Sequence, residues 1–208
     1  FGASVQRHPD RECVVVLGGR RATYQQVWDR SARVAGGLRA AGVQPGDRVA
    51  ILYGNGLEWC LSFWGSLMAG AVVVPINTRF SATEVDYVVA DSGATTVLRP
   101  DEPLPDGAPY DTDAARHDTL AALMYTSGTT GFPKGAMVTH ENFLSNSETC
   151  RRALALPSDL EMRSLIAVPL FHATGCNSQL LPTIQMAGTS VIMPVFEPQA
   201  FLHAIVEE

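Results

Sequence analysis

Apolar and polar positions in this chain fall into short blocks whose period switches repeatedly between two and about 3.6 residues. Cys13 to Leu17 is a β-branched run closed by Gly18 and Gly19, with Arg20 to Tyr24 returning, which predicts a hairpin. From Tyr24 to Ala41, residues Val27, Ser31, Val34, Ala35, Leu38 and Ala41 share one helical face, and Gly42 is placed to cap it. Pro45-Gly46-Asp47 makes a turn before a short buried strand, Val49 to Leu52. Leu57, Cys60, Leu61, Trp64, Leu67 and Met68 then recur at helical spacing, and Ala71 to Val74 is the next strand. Ser81-Ala82-Thr83-Glu84 is a capping box that opens a helix through Val85, Val88 and Val89; Asp91-Ser92-Gly93 stops it, and Thr95 to Leu98 supplies a further strand.

The pattern resumes with an apolar run at Ala121 to Met124, a strand at Ala136 to Val138, and a helix capped by Thr139 or His140 that extends to about Leu154. Leu165 to Val168 is a buried strand. Ala173 to Ala187 is helical, with Pro182 inside it predicting a kink or break; Thr189 to Met193 is a strand, and Pro198 starts a last helix. Strand–helix–strand repeats of this kind predict an α/β fold of largely parallel sheets with helices packed on both faces. The chain divides into a first α/β segment, 1–99, an irregular Pro- and Asp-rich loop or linker, 100–118, and the start of a second α/β segment, 119–208.

Composition narrows the partners. A net charge of −6 and a pI near 5.3 disfavour nucleic acid and anionic membranes, so any phosphate binding must be local. The apolar run Leu57 to Ile76 carries one charge, Glu58, but Gly65, Gly70 and Pro75 interrupt it, so it reads as a helix followed by a strand rather than a membrane span. Cys13, Cys60, Cys150 and Cys176 lack metal-like spacing and read as reduced, structural cysteines of a cytoplasmic protein. The chain begins at Phe1 and breaks off within a helix, and its hydrophobic share of 46% is high, which suggests a piece of a longer protein with a tendency to self-associate.

Chemistry concentrates at Tyr125 to Gly135, Tyr-Thr-Ser-Gly-Thr-Thr-Gly-Phe-Pro-Lys-Gly. Four hydroxyls and three glycines allow backbone N–H groups to converge on an anion, and Lys134 adds a mobile cation. A surface turn of ordinary Ser/Thr/Gly composition is the plain alternative. The stretch departs from a Walker P-loop, because Pro133 precedes the lysine and Gly135 follows it where a magnesium-binding Ser or Thr would stand. The helix after the loop is expected to present its N-terminus to the same region. A second candidate is His172, delivered at a strand end by Pro169-Leu170-Phe171-His172-Ala173-Thr174-Gly175; a lone histidine beside apolar residues is also common as a hydrogen-bonded structural group.

Tyr125 to Gly135 resembles the phosphate-binding signature of the adenylate-forming superfamily, which includes acyl-CoA synthetases, peptide-synthetase adenylation domains and luciferases. Gly70 to Asn77 and the Phe171-His172 segment are also similar to that superfamily, the latter to its acyl-CoA synthetase branch. The resemblance implies the N-terminal large-domain portion of that fold, incomplete, and a fatty-acid–CoA ligase that uses ATP, Mg2+ and coenzyme A as co-substrate. It implies that Thr126, Ser127, Gly128, Thr129, Thr130, Gly131 and Lys134 bind the nucleotide, with Thr126 on the metal side and Lys134, His172 and Thr126 catalytic. Phe171, His172 and Gly175 would line the acid pocket. Segments by which relatives bind adenine and ribose, and their C-terminal domain, are not found, so the chain alone is expected not to complete adenylation. An aryl-acid or amino-acid adenylating enzyme, or a non-catalytic ATP-binding fragment, are the alternatives. Relatives carry more chain between the Asp91-Ser92-Gly93 turn and the loop.

Overall fold

The computed structural model describes residues 1–112, 115–126, 131–156 and 161–208. In chain order the elements are α1 (Gly2–Arg7), β1 (Glu12–Val16), β2 (Arg21–Thr23), α2 (Tyr24–Ala40), β3 (Arg48–Ile51), α3 (Leu57–Met68), β4 (Val72–Pro75), α4 (Ala82–Ser92) and β5 (Ala94–Leu98). They continue as β6 (Leu120–Thr126), β7 (Lys134–Thr139), α5 (His140–Ala153), β8 (Arg163–Ile166), a π-helical segment Thr174–Leu180, α6 (Leu181–Gln185), β9 (Thr189–Ile192) and α7 (Pro198–Glu207). The fold is α/β, with parallel pairing dominant in both sheets.

Two compact units form, each discontinuous in sequence: residues 1–28, 54–57 and 143–208, and residues 29–53 and 58–142. Packing thus divides the chain along different lines from the composition boundaries at 99 and 118. The first unit holds a four-stranded sheet ordered β2-β1-β9-β8, in which the β1–β2 hairpin is antiparallel and the other pairs are parallel. The second holds a five-stranded sheet ordered β5-β3-β4-β6-β7, parallel except for its last pair. Two central strands are buried along their whole length, the apolar Val72 to Pro75 and Thr189 to Ile192, whose first two residues are polar.

Local signals explain most element ends. Ser81 accepts from Glu84 N while the Glu84 carboxylate accepts from Ser81 N, completing the capping box of α4. Val88 on that helix joins Ala50, Val74 and Ile76 in the core of the second unit. Thr139 caps α5 through a reciprocal pair with Asn142, of 3.2 and 2.9 Å. The expected break at Pro182 is a change of helix type: the π-helical segment ends at Leu180, and Pro182 falls in the first turn of α6, where a missing N–H is harmless.

Helix α3 departs from the one-face reading. Trp59 and Phe63 are fully buried and stack at 5.1 Å, whereas the expected face residues Trp64 and Leu67 are half-buried. This helix is covered nearly all round, which its mostly apolar sequence allows and a single-stripe pattern misses. No helix among the described residues is long and apolar enough to cross a membrane.

The connection after β5 has no helix or strand among its described residues, yet it is fastened along its length. Gly107 N and Tyr110 N donate to Arg33 O and Ala32 O of α2, and Thr112 N donates to Met68 O. The Arg33 guanidinium grips Asp106, with its Nε at 2.6 Å. A methyl group at Gly36 would stand 1.8 Å from Ala108 O, so the strap lies directly on the helix backbone.

Candidate functional site

The stretch from Tyr125 to Gly135 is a hairpin. β6 and β7 run antiparallel from the pair Leu120–Thr139 to the pair Thr126–Lys134, and the loop between them spans residues 127–133. A P-loop feeds a helix; this loop feeds a strand, which gives a structural ground for separating it from Walker-type sites. Directly opposed residues project side chains from the same face of a ladder, so the Thr126 hydroxyl and the Lys134 ammonium leave the hairpin side by side at the loop's root. Both are exposed. Gly131 adopts φ +133°, a conformation side-chain-bearing residues rarely take. Ser127, Gly128, Thr129 and Thr130 lie outside the described residues.

The hairpin also corrects the expected role of α5. That helix begins at the far end of β7, beside Leu120, roughly 20 Å along the strand from Lys134. Its N-terminal dipole therefore serves another region, because the chain reverses at the loop and travels away before the helix starts.

Helix α4 anchors both sides of the loop. The Tyr125 hydroxyl donates to Asp91 Oδ2 at 2.6 Å, and the Tyr125 ring covers Gly135, where a Cβ would meet it at 3.0 Å. Burial, and then the neighbouring Asp91 carboxylate, push the Tyr125 phenol up, which keeps it a donor. Within the loop, Phe132 stacks on Tyr87 with ring centroids 4.5 Å apart and planes 23° from parallel, and Pro133 is buried. Tyr87, Asp91 and Phe132 escaped the sequence reading because no local spacing links α4 to a loop so far along the chain. One signal was available: Lys134 is the only lysine among 208 residues, against fourteen arginines. Among the described residues it has no carboxylate partner.

In the other unit, Val168 and Pro169 lead out of β8 into a tight turn. His172 N donates to Pro169 O at 3.1 Å, and Cys176 N donates to His172 O at 3.0 Å. Thr174 N donates to His172 Nδ1 at 3.1 Å, which assigns the proton of the neutral ring to Nε2 and leaves that N–H free to donate outward. His172 is exposed, Phe171 half-buried and Gly175 buried. Only glycine fits at 175, since a Cβ there would lie 2.3 Å from Pro169 O. The structure therefore brings Phe171, His172 and Gly175 into one turn, and Thr126, Gly131 and Lys134 into one hairpin.

Among the described residues no group of three or more His, Cys, Asp or Glu side chains could hold a metal ion. The Thr126 hydroxyl is a hard oxygen donor, suited to magnesium that arrives with most of its shell supplied by phosphates and water.

Known proteins resemble this chain in sequence and in fold. The AMP-binding enzyme family matches residues 1–109 and 99–208. A feruloyl-CoA synthase from an Amycolatopsis species is 39% identical over 92% of this chain and 43% of its own length. The long-chain-fatty-acid–CoA ligase FadD13 of Mycobacterium tuberculosis is 35% identical over 90% of this chain and 43% of its own. Among solved structures, o-succinylbenzoate CoA synthetase (MenE) of Bacillus subtilis in complex with the acyl-adenylate OSB-AMP superposes with a TM-score of 0.89 at 28% identity, covering 99% of this chain and 58% of that one. The same enzyme with ATP and magnesium ion gives 0.88 at 27% identity, over 99% and 60%. The chain thus spans less than half the length of the curated relatives it matches. With the family's model matched over residues 1–109 and 99–208 and relatives 39% and 35% identical over nine-tenths of its length, this chain belongs to the AMP-binding enzyme family.

Proposed function

We propose that this chain is the nucleotide- and acid-binding portion of an acyl-CoA ligase, and that its acid is a fatty acid. The observation that carries the reading is the pairing of Thr126 with Lys134, the sole lysine, at the root of the hydroxyl- and glycine-rich hairpin loop. Activation begins with the carboxylate attacking the α-phosphorus of ATP; the bond to the bridging oxygen breaks, giving an acyl-adenylate and pyrophosphate. The thiol of coenzyme A then takes the acyl group as a thioester and AMP departs.

The obstacle in the first step is charge, because an anion must approach a polyanion. Lys134 supplies a mobile ammonium to the departing pyrophosphate, and the loop residues Ser127, Gly128, Thr129, Thr130 and Gly131 offer donors to the β- and γ-phosphates. Thr126 would touch magnesium, which when bound screens the phosphate oxygens. His172 would donate from Nε2 to the acid carboxylate, with Phe171 and Gly175 shaping the adjoining surface. A cytoplasmic location belongs to the same reading, supported by four cysteines in the thiol form, of which burial pushes the Cys60 thiol up to about 12.

A second reading, an aryl acid, is favoured by the likeness to the feruloyl-CoA synthase. ATP–pyrophosphate exchange on the 208-residue chain decides, using dodecanoate, ferulate and an amino-acid pool. Nucleotide binding without exchange is the expected result for a chain that does not complete adenylation alone; any exchange that does occur should depend on dodecanoate and fall about 10²–10³-fold in Lys134→Ala, the scale of losing one transition-state contact. Ferulate-selective exchange would move the assignment to aryl acids. Nucleotide retained without exchange would mark a binding portion that does not complete adenylation by itself, and exchange indifferent to Lys134 would overturn the role given to the loop.

A further inference from the structure

Asn55 stands between β3 and α3, in a Gly54-Asn55-Gly56 turn that reads as punctuation in the sequence. Its side chain does something more specific. Nδ2 donates to Val168 O at 3.0 Å and to Met193 O at 3.2 Å, while Oδ1 accepts from Leu170 N at 2.8 Å. Those three backbone groups lie just past β8 and β9, beyond the ladder that would otherwise pair them. Both amide donors and one acceptor are used, and only a carboxamide offers that combination: aspartate would set oxygen against two carbonyls.

The segment so held, 168–170, is the base of the His172 turn. Pro169 O receives His172 N and lies against Gly175, and Leu170 is fully buried. We infer that Asn55 is a positioning residue for His172, fixing the backbone from which the ring accepts Thr174 N at Nδ1 and presents Nε2–H outward. Its consequence for catalysis rests on the reading of His172 as an acid-binding residue.

Two measurements separate the claims. Histidine ring 15N–1H spectra of the 208-residue chain, with His172→Gln to assign the signal, read the tautomer directly. The native ring is expected to carry its proton on Nε2. In Asn55→Ala and Asn55→Asp the His172 signal is expected to shift toward a mixture of tautomers, while His8, His117, His140 and His203 stay in place. A role limited to stability would lower the melting temperature without moving that signal, and folded variants with an unchanged His172 tautomer overturn the inference. Should the variants fail to fold, hydrogen exchange in the unsubstituted protein still decides: rapid exchange at the Leu170 amide contradicts the hydrogen bond on which the inference stands.

Calorimetry with dodecanoate or ferulate, in the presence of a non-hydrolysable ATP analogue, tests the link to function. Asn55→Ala is expected to weaken acid binding about tenfold, the scale of one lost hydrogen bond, and to leave the analogue's affinity within about twofold. A shifted tautomer with unchanged acid affinity would uphold Asn55 as the positioning residue and refute the acid-binding role of His172.

Discussion

Lys134 is the only side-chain amine in the chain, and that makes the nucleotide reading testable by chemistry alone. An amine-reactive acetylating reagent meets one side chain it can modify among these 208 residues, Lys134. ATP is expected to slow acetylation of Lys134 about tenfold or more, as read by peptide mass spectrometry; equal rates with and without ATP would refute contact between this ammonium and the nucleotide. Arginine at this position would be a rigid fork in place of a mobile point charge, which is why fourteen arginines elsewhere are no substitute. At this scale the sequence was informative wherever chemistry was dense. It singled out Thr126, Lys134 and His172 as candidates but not Asn55, whose partners stand 113 and more residues away, nor Asp91, which meets Tyr125 across 34 residues.

Elements were legible where a local rule sets their ends. The capping box of α4, the Thr139 cap of α5 and the helix change before Pro182 each depend on residues within one turn. Pairing was not, since nothing local says that β7 returns antiparallel beside β6, and so the place of α5 was misread. Its actual N-terminus sits at a cavity of about 410 Å3 whose lining includes Arg48, Thr119 and His140. Desolvation, and then the neighbouring His117, hold His140 below its usual range, and the dipole of α5 acts in the same sense. The sign follows from linkage: with the folded value beneath the unfolded one, the unfolded state binds more protons as pH falls through that interval, so folding loses stability there. Thermal melts should show the melting temperature dropping on acidification from about pH 7.5 to 5.5, around the ordinary histidine range. His140→Gln is expected to flatten that slope, and an unaltered slope would show that other groups set it.

For the whole molecule, exposed apolar surface gathers on and before α7. Leu202, Ile205 and Val206 are 63%, 61% and 86% exposed, and Val195 and Phe196 are 79% and 59% exposed. Such a face favours concentration-dependent association. Leu202→Glu with Ile205→Glu is expected to abolish any concentration dependence in gel-filtration elution while leaving the melting temperature nearly unchanged, since neither side chain is buried. A native chain that elutes as a monomer at every concentration would refute the association. The sequence by itself determined the alternation of strand and helix, the helix caps and the hydroxyl- and glycine-rich composition after β6, because each follows from residues close enough to interact within one element. The tertiary structure decided what depends on distant segments meeting. It assembled two units from interleaved stretches of chain, seated residues 105–110 on the backbone of α2, paired β7 antiparallel with β6, and brought the Asn55 amide to the strand ends below His172. Hydrophobic periodicity records which face a residue buries but not which strand lies beside it, and the partner chosen by the sheet sets where each functional side chain stands.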